Sequence, residues 1–212
     1  MSSQQGIGKT IGRALSIVAL VLAVLVAALA GWRHFQLSRA AAALPVNERM
    51  GGDFVLPSTR GVPLDTRQLR GKVVLLNFGF ASCPDVCPTV LARLRQVLKE
   101  LGPDAAATQV VFVSFDPARD TLPLLKGYVA HFHPDILAAT GSDDEIATVA
   151  KQYGVVYMKE DTGSAAGYAF AHSDYIYLLD SEGRLRKLYD NQASTTEMAG
   201  DVRTLLATRA FF

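Results

Sequence analysis

The sequence predicts an α/β fold, a central sheet flanked by helices, preceded by one N-terminal transmembrane helix. Three observations predict it. Ala14 to Trp32 is uncharged, broken only by Ser16 and Gly31, and long enough to cross a hydrocarbon core of about 30 Å. Two later runs, KVVLLNFGF (Lys72 to Phe80) and TQVVFVSFD (Thr108 to Asp116), are too continuously apolar for half-exposed strands and read as central ones. Segments of helical period separate and follow them, so helices cover both faces of the sheet. A chain of 212 residues has room for one such domain and an appendage.

The elements follow in order. Residues 1–13 form a short leader, 14–32 the span and 33–50, with the alanine run Ala40 to Ala43, a tether; the domain occupies 51–212. DFVLPSTRGVPLD gives two short extended segments around a turn at Ser58 to Gly61, before the first central strand. In TVLARLRQVLKELG, Val90, Leu91, Leu94, Val97, Leu98 and Leu101 keep a helical period that Gly102-Pro103 ends. After the second strand a helix begins near Thr121 with Asp120 as N-cap, Pro123 being tolerated in the first turn. SDDEIATVAKQYG gives another, capped by Ser142 or Asp143 and closed by Gly154. VVYMKE, a loop at Asp161 to Gly167, SDYIYLLD, a turn at Ser181 to Gly183 and RLRKLYD read as extended segments. Ser194 to Glu197 is a capping box that opens a last helix to about Ala210. This order is that of a thioredoxin-like sheet with insertions.

The leader carries Lys9 and Arg13, and the small residues Ala28 and Ala30 resemble a cleavage site, so a removed signal peptide is the competing reading. The apolar run exceeds the usual core of such a peptide, and Trp32 suits an interfacial anchor, which favours an uncleaved span. A basic leader this short implies an N-in, C-out anchor in a bacterial inner membrane, with the domain in the periplasm. Beyond residue 40, seventeen Lys and Arg face twenty Asp and Glu, a net charge of −3 that argues against a nucleic-acid partner.

The only cysteines, Cys83 and Cys87, lie where the first central strand feeds its helix. That junction is at the carboxyl edge of the sheet, where open α/β folds bind ligands, and a helix N-terminus favours thiolate over thiol. The i, i+4 spacing allows either a shared metal ion or a disulfide, and three intervening residues differ from the two of a thioredoxin redox pair. Two thiolates complete neither a zinc site nor an iron–sulfur cluster; copper(I) suits them, with one imidazole as third ligand. Four histidines are available: His34 in the tether, His131 and His133 at a helix end where histidine commonly bonds terminal carbonyls, and His172 at a loop-to-strand junction. Asp85 is either an oxygen ligand or a first-turn acid at the helix N-terminus, the second being favoured. Phe78, Phe80, Tyr175 and Tyr177 belong to the core or the site wall.

Three ordered stretches resemble the Sco/SenC family of membrane-anchored, thioredoxin-like copper-binding proteins. FGFASCPDVCPTVLARL is similar to its Cys-Pro-x-x-Cys-Pro segment. VSFDPARDTLPLLKGYVAHFHPDILAATG is similar to its Ser-x-Asp-Pro-x-Arg-Asp-Thr segment and the His-Pro that follows, and AHSDYIYLLDSEGRL to the segment bearing its histidine ligand. The resemblance runs from about Phe54 to Arg186 and implies Cys83, Cys87 and His172 as ligands of one copper. The family often has an acidic residue before that histidine and this chain has Ala171, so the imidazole's orienting partner is missing or supplied elsewhere. Asp116, Pro117, Arg119 and Asp120 read as a loop, a cap and an Arg–Asp pair at the sheet edge in preference to copper or partner contacts.

The resemblance implies a metal carrier: a metallochaperone that helps assemble the CuA-type centre of a respiratory cytochrome c oxidase. Its partners would be the copper-accepting oxidase subunit, a copper donor or thiol reductant, and the membrane through residues 14–32. The alternative is a thiol–disulfide oxidoreductase in which Cys83 and Cys87 are the redox pair. A purely structural disulfide and a peroxidase fit the motifs less well.

Overall fold

Strand β3 (Val73–Gly79) is buried along its whole length, and it sits in the middle of the five-stranded order β5-β4-β3-β8-β9 of the computed structural model. The structure describes residues 4–42, 44–163 and 167–209. Its strands are β1 (Val55–Leu56), β2 (Leu64–Asp65), β3, β4 (Thr108–Ser114), β5 (Leu137–Ala139), β6 (Tyr157–Asp161), β7 (Tyr168–His172), β8 (Ile176–Leu179) and β9 (Leu185–Tyr189). Its helices are α1 (Gln4–Ala42), α2 (Val86–Leu101), α3 (Leu122–Ala130), α4 (Asp143–Tyr153) and α5 (Thr195–Arg209).

The chain divides into two units, residues 1–43 and 44–212. The first is α1, within which Ile17–Gln36 is long and apolar enough to cross a membrane. The helix continues to Ala42, and the second unit begins at Leu44, which is buried in that unit's core.

Inside the second unit β3 pairs parallel with β4 and antiparallel with β8, giving the mixed thioredoxin-like sheet the sequence predicts. Pleating sends alternate side chains to opposite faces. Val73, Leu75, Val110 and Phe112 join the layer built by α2, α3 and α5, while Val74, Leu76, Phe78, Val111 and Val113 meet α4 and the β1–β2 hairpin. Helix α2 turns Val90, Leu91, Leu94, Val97, Leu98 and Leu101 inward at helical period. Ser142 and Glu145 form the reciprocal capping box of α4, and Gly154 ends it at φ +66°, a conformation suited to glycine. Ser194 Oγ accepts from the N–H of Glu197 at the start of α5, whereas the Glu197 carboxylate goes to Lys187.

Three features differ from the sequence reading. Strand β5 was not predicted: it is a buried three-residue edge strand, Leu137–Ala139, too short to show a period. Strand β7 was not predicted either; it pairs with β6 as a separate two-stranded hairpin. Asp120 is not the cap of α3. Thr121 holds that position, and the Asp120 carboxylate turns inward to accept from Ser114 Oγ at 2.5 Å and the Ala81 N–H at 2.8 Å.

The β8–β9 turn is held by a buried acid. Asp180 accepts from the N–H groups of Glu182 and Arg184 and pairs with the Arg184 and Arg186 guanidinium groups at 2.9 Å each. Burial works against its charge, but these donors prevail and hold its carboxyl below the ordinary value. A depressed folded-state pKa contributes stability that is present above the unfolded value near 3.9 and lost as pH falls through the folded one. Asp180→Asn is expected to cost about 2 kcal/mol at pH 7, and the gap to the parent chain should close toward pH 3, as read by urea denaturation at both pH values. A gap unchanged at pH 3 would contradict a role for the charge.

Candidate metal centre

Two parallel strands end together at the carboxyl edge of the sheet. Gly79 is in register with Ser114, and the Phe115 N–H donates to the Gly79 carbonyl at 3.0 Å. The chain after β3 carries Cys83 in the loop, and α2 begins at Val86, with Pro88 in its first turn, so that Cys87 already lies in the helix. The Cys87 N–H points to Cys83 Sγ at 3.5 Å. Both cysteines are free thiols, Cys83 partly exposed and Cys87 buried.

His172 reaches the sulfurs from the last position of β7. Its Nε2 is 3.8 Å from Cys87 Sγ, and one donor atom from each of Cys83, Cys87 and His172 lies within 4.8 Å of the other two. The ring's Nδ1 is 3.0 Å from the Ser173 carbonyl oxygen, which can only accept. Nδ1 therefore carries the proton and Nε2 presents its lone pair to the sulfurs. This carbonyl does the orienting work that Ala171 cannot. Asn77 Nδ2 donates to the Tyr175 carbonyl at 3.1 Å and ties the segment after His172 to the central strand.

The cradle is aromatic. The His172 ring meets Phe115 at 5.0 Å and Phe80 at 6.0 Å, both edge-on, and Phe170 packs against the same two rings. Beneath the sulfurs a side chain at Gly79 would have its Cβ 2.8 Å from Cys87 Sγ and 2.9 Å from the Phe112 ring, so this glycine permits the close approach. The expectation that the helix N-terminus favours thiolate is overturned at Cys87. Burial pushes its thiol well up, outweighing the Phe80 N–H that favours the anion, and the neighbouring Cys83 adds to the rise.

The other candidates in the second unit do not join the cluster, and His34 belongs to the first unit, on α1. His131 Nδ1 is 2.8 Å from the Gly127 carbonyl, the helix-end bonding the sequence suggests, whereas His133 Nδ1 instead accepts from the Asp135 N–H at 3.2 Å. Asp85 occupies the N-cap position of α2, exposed and without a side-chain capping bond. Phe78 and Tyr177 are core residues, whereas Tyr175 is 40% exposed. Asp116 and Arg119 form the expected pair at 2.5 Å. Sequence reasoning missed Gly79, Phe115, Phe170 and Tyr168. For Gly79 a signal existed, a glycine between two phenylalanines just before a cysteine loop.

Two thiol sulfurs and one imidazole nitrogen, converging at the edge of a thioredoxin-like sheet, define a protein with a soft, three-donor metal-binding constellation. The SCO1/SenC family profile matches residues 42–207, and the chain belongs to that family. It is 35% identical over 178 residues to the mouse mitochondrial SCO2 homologue, covering 83% of this chain and 69% of the relative. It is 38% identical over 160 residues to yeast mitochondrial SCO2, covering 73% and 53%. Among solved structures, copper-bound Bradyrhizobium japonicum ScoI superposes with a TM-score of 0.69 at 36% identity, covering 74% of this chain and 99% of that one. Copper-bound yeast Sco1 does so at 0.68 and 31%, covering 75% and 89%.

The unequal burial of the two sulfurs has a chemical consequence. Alkylation by iodoacetamide at pH 7.5, a pH chosen at roughly neutral reactivity, should modify Cys83 at least about tenfold faster than Cys87, as followed by peptide mass spectrometry. Equal rates would contradict the burial of Cys87 in solution.

Proposed function

We propose that this protein carries one copper ion, held by Cys83 Sγ, Cys87 Sγ and His172 Nε2, and delivers it during assembly of the CuA-type centre of a respiratory cytochrome c oxidase. The observation that supports this most is the donor set itself: two thiols and an imidazole with its lone pair free, within 4.8 Å, with no further His, Cys, Asp or Glu joining them among the described residues. Thiolate selects Cu(I), and three ligands leave one side for an acceptor's sulfur or nitrogen to enter by exchange. Relatives solved with copper on the same fold, from Bradyrhizobium japonicum and yeast, support the choice of metal. The oxidase as destination is what the resemblance to the family implies.

With both sulfurs deprotonated, Cu(I) leaves the centre at −1 and Cu(II) leaves it neutral. The N-terminus of α2 favours the anionic state. The site must also give up the Cys87 proton, which burial holds firmly in the metal-free protein. Oxidation of the pair to a disulfide removes both sulfur ligands, so loading outside the cytoplasm requires a reductant. We place the protein in a bacterial inner membrane, anchored through residues 14–32 with its domain in the periplasm. Confinement to the membrane of the acceptor raises their effective concentration.

A thiol–disulfide oxidoreductase is the second reading, favoured by one observation: a partly exposed Cys83 beside a buried Cys87 is an attacking and resolving arrangement. His172 separates the two.

Anaerobic Cu(I) titration of the reduced full-length chain in detergent should give one copper per chain with sulfur-to-metal charge-transfer absorption. His172→Ala and Cys83→Ser should each lose or greatly weaken it, and uptake should fail after oxidation and return on reduction. Binding indifferent to His172, or uptake by the oxidised chain, would overturn the proposal in favour of the redox reading. Because binding displaces the Cys87 proton, apparent affinity should rise with pH from 6 to 8, a range of roughly neutral values where the thiol stays protonated without metal. A flat pH profile would show that the sulfur binds as a neutral thiol.

A further inference from the structure

The half of the centre that carries His172 is built differently from the half that carries the cysteines. Cys83 and Cys87 extend from a buried central strand into a helix. His172 ends a two-stranded hairpin that pairs with no strand of the five-stranded sheet. A two-stranded hairpin is marginal in isolation. Something outside its own ladder must set the height at which the imidazole meets the sulfurs.

The turn between β4 and α3 meets both halves. Asp120, with no exposed surface, accepts from the Ala81 N–H and so fastens this turn to the cysteine loop. Four residues earlier in the chain, Asp116 accepts from the Tyr168 hydroxyl through Oδ1 at 2.7 Å and from Arg119 Nε through Oδ2 at 2.5 Å. Arg119 donates from Nη1 to the Tyr168 carbonyl at 2.9 Å and lays its guanidinium carbon 3.7 Å from the centre of the Tyr168 ring and 5.8 Å from that of Phe80. Lys159 of β6 brings its ammonium within 3.6 Å of the centre of the same tyrosine ring. The first residue of β7 is thus gripped at its hydroxyl, its ring and its backbone carbonyl, and Phe170 and His172 follow on the same face of the strand.

We propose that Arg119 and Tyr168 are positioning residues of the centre: through the Asp116–Arg119–Tyr168 clamp the β4–α3 turn holds the hairpin, and with it the His172 imidazole, at the spacing the two sulfurs require. Neither residue belongs to the donor cluster. The clamp spans the gap between the loop that Asp120 holds and the strand that His172 ends. It rests on the copper reading above for its functional effect, and on the apo protein for its structural one.

Two conservative variants test it in the full-length chain in detergent. Tyr168→Phe keeps the ring and removes the hydroxyl bond; Arg119→Lys keeps the charge and removes the planar fork and its stacking. Each is expected to weaken Cu(I), measured by competition with a chromophoric Cu(I) chelator, by about fivefold. Added to His172→Ala, neither should weaken it further, because the clamp acts through the imidazole. An equal loss in the His172→Ala background, or no loss in the parent background, would overturn the proposal. In the metal-free protein both variants should speed amide hydrogen exchange across residues 157–161 and 168–172 while β3 and β4 exchange as before. Unchanged hairpin exchange would overturn the clamp. If the parent chain takes up no copper, the copper reading fails and this exchange comparison alone decides the clamp.

Discussion

Everything at the site depends on the parallel register between β3 and β4. Pairing Gly79 with Ser114 ends both strands at one level, and the Phe115 N–H bond to the Gly79 carbonyl closes the ladder there. The next residues of each strand must leave the sheet side by side. One departure becomes the cysteine loop and the first turn of α2, and the other becomes the Asp116–Asp120 turn. A parallel pair requires a crossover, and α2 supplies it, so the same constraint that builds the core also delivers Cys87 to the sheet edge. The third donor has no such route. It arrives on a hairpin outside the sheet, and the two halves of the centre differ in how firmly they are built.

Burial and electrostatics oppose each other at Cys87. The sulfur sits in the first turn of a helix, where N–H groups and the dipole favour an anion, yet only 1% of the residue is exposed. Desolvation wins because Cys87 is buried in the apolar layer that includes Phe80, and the one backbone bond there that favours the anion, from Phe80, does not offset it. A thiol kept neutral in this way is a poor nucleophile until a cation replaces its proton. Cys83, partly exposed, remains the point of first contact.

The sequence disclosed the sulfur half of this architecture and left the imidazole half to the family resemblance, for physical reasons. Strands β3 and β4 are mainly apolar, fully buried runs, and α2 and α4 keep a helical period, α4 with a capping box that its sequence announces. The cysteines could be placed because they sit at a strand-to-helix junction. Strand β7 reads Tyr-Ala-Phe-Ala-His: its outward residues are alanines, so the polar alternation that marks a half-exposed strand is absent. His172 accordingly looked like the start of the next segment. Asp120 precedes a helix, and the cap it suggests is a local bond; only the folded sheet brings Ser114 and the Ala81 N–H close enough to draw it inward. Arg119 was legible as the partner of Asp116, but its grip on Tyr168, 49 residues away, was not.

The contrast between the two halves bears on which part of the centre is held most firmly. Local stability in a protein follows the density of buried contacts and protected backbone bonds. By that measure Cys87, buried in the first turn of α2, is the most firmly held donor; Cys83 stands partly exposed in the loop between β3 and α2, and His172 ends a two-stranded hairpin whose Met158 is 62% exposed. Moving the imidazole leaves Cys87 in place, whereas moving the Cys87 sulfur would require distortion of the core. The hairpin is thus the less firmly built half of the centre, and the ring contacts among Phe80, Phe115, Phe170 and His172 are what seat it against the end of the sheet.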